Sequence, residues 1–425
     1  MAQASRDDVR RVVAASVIGA TIEWYDFFLY GAVAGLVFNK LYFPANDPFV
    51  STLLAYTTFA IGFLARPLGG LIFGHLGDRI GRKKTLVITL SLMGGATVLI
   101  GLLPGYDQIG IWAPILLIVL RLIQGLGIGG EWGGALLLAY EYAPQNRKGL
   151  FGSVPQMGVT IGMLLATVAI TVMSMLPDDQ FLAWGWRVPF LLSAVLVFLG
   201  LWIRKGIDET PAFKKAKETG NVAKMPLAET LRYHWRAVLV AVAIKFVETA
   251  PFYIFSTFIV SYATSSLGFE RLTVLNTVTI ATLVTTLMIP VMGRLSDSIG
   301  RKRMFVIGTL IMAAFIFPYF MLLEQRTTTT LVIATVVGLG FIWAPITAVL
   351  GTLFSEIFST RVRYTGITLG YQIGAALAGG TAPLLATWLL QKYSGSWVPV
   401  ACYLLATAVI SLVGIACAKT VADND

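Results

Sequence analysis

Charge is the scarcest commodity in this sequence. Asp, Glu, Lys and Arg make up 13% of its 425 residues, against about 25% in an ordinary soluble domain. Histidine is nearly missing: His75 and His234 lie in separate polar segments, and no zinc-ligand spacing occurs. Cysteine is limited to Cys402 and Cys417, fifteen residues apart in one apolar stretch, which excludes a disulfide between them. No N-glycosylation acceptor, Walker loop or nucleophile elbow is present. Transport driven by ATP hydrolysis in this chain, and any catalytic role, are therefore not expected. Nor is a cofactor or a metal. Residues 1–11 lack the apolar core and small-residue cleavage site of a secretory signal. The first apolar stretch is expected to stay as a membrane helix.

What the chain has in plenty is hydrophobic residues, at 56%. They gather in runs near or above the ~20 residues that a bilayer demands. The runs predict an all-α membrane protein with twelve transmembrane helices, at 13–37, 50–73, 85–103, 113–138, 150–176, 187–203, 237–263, 273–292, 304–323, 330–353, 364–390 and 397–418. Residues 1–203 form a first six-helix half and 237–425 a second. The hydrophilic segment 204–236 links them, with an interfacial helix expected near Thr210–Thr219 beside anionic lipid.

A repeat supports the two halves. Gly74-His-Leu-Gly-Asp-Arg-Ile-Gly-Arg-Lys-Lys84 returns as Gly293-Arg-Leu-Ser-Asp-Ser-Ile-Gly-Arg-Lys-Arg303, identical at seven of eleven positions at an offset of 219 residues. Each copy reads as a short loop between apolar stretches. Arg147, Gln156 and Gly158 recur as Arg363, Gln372 and Gly374. The halves thus look like one duplicated unit running the same way round. Of the 32 Lys and Arg residues, 24 fall on the side of the termini and five on the opposite side. That bias places both termini in the cytoplasm. It also accounts for the net charge of +10 without a nucleic-acid partner.

The few charges inside apolar runs are the candidate functional groups, since an ionised side chain in a bilayer is costly and faces the bundle interior. Glu23 and Asp26 stand three apart, on one helix face with Tyr30. Two such close carboxylates resist joint ionisation and suit proton uptake and release; the alternative is that one is permanently paired with Arg66 or Arg121. Arg121 and Gln124 form a second pair at helical spacing, followed by Glu131. The arginine binds an anion or neutralises an acid. Lys245 and Glu248 are again three apart, forming either an internal ion pair or a substrate contact. Arg66, nearer a helix end and followed by Pro67, reads as a snorkelling or clamping residue. Gln156 and Gln372, one from each half, with Tyr371, are candidate cavity-lining groups; helix packing explains each equally well alone. Gly125-Leu-Gly-Ile-Gly-Gly130 has dinucleotide-binding spacing but lies inside an apolar helix, where small residues predict close helix approach.

At these residues the sequence resembles the major facilitator superfamily. Gly74-x-x-x-Asp78-Arg79-x-Gly81-Arg82-Lys83 matches its loop 2–3 signature, and the second copy departs only at Ser298. Glu23-Trp-Tyr-Asp-Phe27, Arg66-Pro-x-Gly69, Gly130-Glu-Trp-Gly-Gly134 and Trp184-Gly-Trp-Arg-x-Pro-Phe190 resemble the metabolite:proton symporter family within it, over residues 12–418. That family carries shikimate, α-ketoglutarate, citrate, proline and betaine, among others. Lys245-Phe-Val-Glu248 is similar to the Arg-x-x-Glu of its shikimate-carrying members, with Lys in place of Arg. No carboxyl-terminal coiled coil of the osmosensing betaine/proline type is present. The resemblance implies proton-coupled uptake of a small organic anion by a monomer in the bacterial inner membrane. Zwitterion uptake, or export of acids or drugs, are the alternatives. Glu23, Asp26, Glu131 and Glu248 are the expected proton-coupling groups. Tyr30, Arg121, Gln124, Gln156, Lys245, Tyr371 and Gln372 are the expected substrate contacts. Asp78, Arg79, Arg82, Asp297 and Arg301 are the expected gating residues.

Overall fold

A computed structural model describes residues 6–80, 82–129, 132, 136, 140, 143–205, 227–358 and 363–419. Twelve long helices follow one another: α1 (6–41), α2 (Pro48–Ile80), α3 (Arg82–Leu102), α4 (Trp112–Ile128), α5 (Lys148–Met173), α6 (178–205), α7 (Trp235–Ser266), α8 (Arg271–Ile299), α9 (Arg301–Glu324), α10 (Thr328–Ile357), α11 (363–392) and α12 (Val398–Cys417). Among the described residues there is no strand. Helices satisfy their own backbone polar groups, which hydrocarbon cannot do. Nine segments are long and apolar enough to cross a membrane, and Val87–Leu102 and Trp112–Ile128 are shorter apolar helices.

The molecule is apolar outside and polar at its centre. Phe198 is 73% exposed and Trp202 68%, while Arg66, Arg121, Lys245 and Asp26 are buried. This inversion is the signature of a multi-pass membrane protein, whose outer belt meets lipid.

The two repeat copies are not loops. α2 runs on to Ile80 and α3 begins at Arg82; α8 runs to Ile299 and α9 begins at Arg301. Between α8 and α9 the break shrinks to Gly300, with φ of 96°, a conformation that suits glycine. Charged residues end the apolar run but not the helix, because they favour helical backbone well enough outside hydrocarbon. The interfacial helix expected at Thr210–Thr219 lies outside the described residues.

Close backbone packing binds α2 to α4. A Cβ on Gly125 would sit 2.1 Å from the Gly62 carbonyl oxygen, one on Gly69 2.1 Å from that of Leu126, and one on Gly129 2.1 Å from that of Arg66. The glycine run is thus a packing surface. Several helices also contain wide π turns: Ala34–Phe38 in α1, Phe181–Gly185 in α6, Ile254–Phe258 and Tyr262–Ser266 in α7, Val336–Ile342 in α10 and Ala376–Gly380 in α11.

Candidate functional site

The buried polar groups meet where the two halves face each other. From the first half, Trp132 donates through its indole Nε1 to Gln156 Oε1 at 3.2 Å. Gln156 Nε2 donates across the divide to Thr347 Oγ1 at 3.0 Å. Thr347 donates in turn to Glu248 Oε1 at 3.1 Å. Glu248 Oε2 accepts from Thr249 and pairs with Lys245. The indole of Trp343 donates to the Glu248 carbonyl. Lys245 Nζ lies 3.7 Å from the centre of the Tyr371 ring, and that ring stacks on Trp132 at 3.6 Å. Gln156, Lys245, Glu248 and Tyr371 are therefore brought together, and Lys245 and Glu248 form an ion pair.

Arg121 and Gln124 lie deeper in the first half. Arg121 Nη1 donates to Gln124 Oε1 at 3.0 Å and Nη2 to the Phe59 carbonyl at 3.5 Å. Its guanidinium sits 4.2 Å from both the Phe27 and Tyr30 ring centres. Gln124 Nε2 reaches Thr97 at 2.8 Å. Tyr30 donates to Thr58, so it touches Arg121 through its ring face.

Asp26 is fully buried. Its Oδ1 accepts from Ser193 on α6, and its Oδ2 has no hydrogen-bond partner. The suggestion that Arg66 or Arg121 pairs with it is not met, because a hydroxyl holds it instead. Glu23 is buried on the same helix. Glu131 and the side chains of Asp78, Arg79 and Arg82 lie outside the described residues.

Arg66 departs from the sequence expectation. It does not snorkel: its relative exposure is 1%. Nε donates to Gln372 Oε1 in the other half at 3.0 Å, and Gln372 Nε2 returns to the Gly129 carbonyl at 3.1 Å. Pro67 does not end the helix at Arg66, because α2 continues to Ile80 and carries the arginine inside. Its place within an apolar run was the available signal. Ser193 and Thr347 had none, being small hydroxyl residues in apolar helices.

The halves are tied at both ends. At the end that carries the termini, Asp297 Oδ1 accepts from the Gly149 N–H at 2.7 Å and Oδ2 from the Leu150 N–H at 3.2 Å. These N–H groups belong to the first turn of α5, where helix donors lack internal partners. Arg301 bridges Asp297 at 3.2 Å and Glu356 at 2.7 Å. At the opposite end Tyr56 Oη and Ser261 Oγ share a hydrogen bond at 2.8 Å. Arg271 pairs there with Asp178 at 2.8 Å and reaches the Ser174 carbonyl. The centre is thereby closed to solvent, with Arg121, Gln124 and Gln372 all buried.

Residues 12–232 match the family described as sugar (and other) transporter, and residues 244–423 match the major facilitator superfamily. The chain is 43% identical over 405 residues to the shikimate transporter of Escherichia coli K12, across 95% of this chain and 92% of that one. It is 37% identical over 416 residues to the glycine betaine/proline/ectoine/pipecolic acid transporter of Dickeya dadantii, across 95% and 82%. A crystal structure of a D-xylose-proton symporter superposes with a TM-score of 0.74 at 18% identity, covering 95% and 97% of the two chains. At that identity the likeness concerns the fold.

Proposed function

The chain belongs to the major facilitator superfamily, and from that premise we propose that it imports a small organic acid together with a proton by alternating access. The reading is carried by how the buried cations are partnered. Arg66 and Arg121 are buried, and among the described residues no carboxylate forms an ion pair with either, whereas Lys245 is balanced by Glu248. Arginine stays protonated, and a buried cation without an ion-pair partner is costly. Both facts favour an anionic guest. Asp26 supplies the proton site, being buried with one oxygen unpartnered. When proton and anion enter together, the centre carries the same charge loaded as empty. Each then strengthens binding of the other, a reciprocal coupling. Glu23, Glu131 and Glu248 are the other carboxylates of this site. Tyr30, Gln124, Gln156, Tyr371 and Gln372 line the guest.

Transport proceeds by rocking of residues 1–203 against 237–425, joined by the linker 204–236. Asp297 and Arg301 latch one end, with Asp78, Arg79 and Arg82 as their first-half counterparts. The distribution of basic residues supports cytoplasmic termini in a bacterial inner membrane. The working unit is one chain. A zwitterionic substrate is the second reading: the Dickeya relative supports it, and Lys245 beside Glu248 offers both signs of charge.

The test is uptake into proteoliposomes of radiolabelled shikimate, α-ketoglutarate, citrate, proline and betaine, with and without an inward proton gradient. Gradient-driven accumulation of an acid is expected. Concentration of proline or betaine with no acid uptake would transfer the assignment to zwitterions, and indifference to the gradient would remove the proton.

A further inference from the structure

Three buried cations surround the centre, and their hydrogen-bonding nitrogens are not equally occupied. Lys245 is spent on Glu248. Both terminal nitrogens of Arg121 are engaged within the first half, Nη1 by Gln124 and Nη2 by the Phe59 carbonyl. Arg66 differs. Its Nε donates to Gln372, while Nη1 and Nη2, beside the Tyr253 and Tyr371 hydroxyls, make no hydrogen bond of full geometry. Its guanidinium is caged by four rings, with Cζ 5.0 Å from the centre of Trp24, 5.3 Å from Phe27, 5.0 Å from Phe63 and 5.9 Å from Tyr371. Ring faces stabilise a cation without supplying a hydrogen-bond acceptor. The free edge of the fork, Nη1 with Nη2, matches the two oxygens of a carboxylate.

We propose that Arg66 is the group that grips the substrate's carboxylate, end-on through Nη1 and Nη2, within the cage of Trp24, Phe27, Phe63 and Tyr371. The proposal deepens the organic-acid reading above and rests on it. It displaces Arg121 and Lys245 from that role, leaving them to set the charge around the guest. It also links binding to closure, because the cage is shared between halves: Trp24, Phe27 and Phe63 come from the first, while Tyr371 and the Gln372 that orients Arg66 come from the second. The seat is complete only when the halves meet. The aromatic walls select a carboxylate on a compact body and exclude water from the ion pair.

The experiment uses the full chain in proteoliposomes, with shikimate, α-ketoglutarate and citrate as probes, each competed against its own methyl ester. The wild type should prefer acid over ester. Arg66→Gln should raise the half-saturation concentration for the acid by roughly 10- to 100-fold, the range for losing a hydrogen-bonded charge partner, and should remove the preference for acid over ester. Arg66→Lys, which keeps the charge but loses the fork, should fall between. If the wild type takes up an acid and Arg66→Gln keeps both its half-saturation and its acid preference, this inference fails while the organic-acid reading stands. If the wild type takes up none of the three acids, that reading fails first and this one with it. Should Arg66→Gln not fold, Arg66→Lys decides: an unchanged acid-to-ester ratio overturns the assignment.

Discussion

Replacing Asp297 by Asn tests how the halves are held together at the end that carries the termini. The native carboxylate accepts from two backbone N–H groups of α5, at 2.7 and 3.2 Å, and also meets Arg301 at 3.2 Å. Asparagine keeps one acceptor oxygen, which can still serve Gly149. Its amide group turns a donor toward the Leu150 N–H, so that bond is lost. The negative charge facing the positive end of α5 is lost with it. One hydrogen bond to a charged group and a partly buried helix-end interaction together come to about 2–3 kcal/mol. That shifts the balance toward opening at this end by roughly 30- to 150-fold. Ser153 reports the opening well, because it is buried in α5 against Gly293 of α8. In a background lacking Cys402 and Cys417, both exposed, maleimide labelling of Ser153→Cys should accelerate by about the same factor in the Asp297→Asn protein. Labelling of Ser261→Cys, at the opposite end, should not rise. A Ser153→Cys rate that is the same with and without Asp297 would refute the view that these bonds hold the seam shut.

Three other outcomes follow from the same geometry. Asp26→Asn should leave exchange of internal for external substrate intact while abolishing accumulation driven by a proton gradient; if a folded variant still concentrates substrate like the parent, Asp26 is not the proton carrier. Gly125→Ala should lower the thermal unfolding temperature, because its Cβ would meet the Gly62 carbonyl oxygen at 2.1 Å and overpacking costs about 1–3 kcal/mol; Gly95→Ala, whose Cβ would meet nothing within 4 Å, is the matched control and should not destabilise. Arg271→Gln removes the pair with Asp178 and should speed labelling at Ser261→Cys severalfold, an effect that salt in the wild type should mimic, since Asp178 is largely exposed and screening acts on exposed charge.

Much of the architecture was legible because membrane solvation leaves few choices. Long apolar runs gave the twelve helices, and the repeat around Asp78 and Asp297 gave the two halves. The pairing of Lys245 with Glu248 was legible as one of two options, since helical spacing alone brings the two side chains together. The ends of α2 and α8 were not legible. Charge marks where hydrocarbon stops, and a helix is free to continue past that point. Arg66 was misread because its depth was judged along the helix rather than from its neighbours; Phe63 on its own helix and rings from distant positions, Trp24, Phe27 and Tyr371, enclose it. The hold of Ser193 on Asp26 joins residues 167 apart. No local pattern marks a serine whose value lies in a contact between distant helices.

The π turn Val336–Ile342 of α10 stands immediately before Trp343 and Thr347, the two side chains through which that helix holds Glu248. Such a turn stores one residue more than an α-helix needs. Rewinding it passes that residue along the axis and rotates everything beyond by about 100°. A slip of one residue would therefore withdraw the indole and the hydroxyl from Glu248 together, and with the hydroxyl the bridge to Gln156. α4, at the corresponding place in the first half, has no such turn among its described residues and is pinned to α2 backbone against backbone. A slip within α10 would thus release Glu248 while α4 stays fixed against α2.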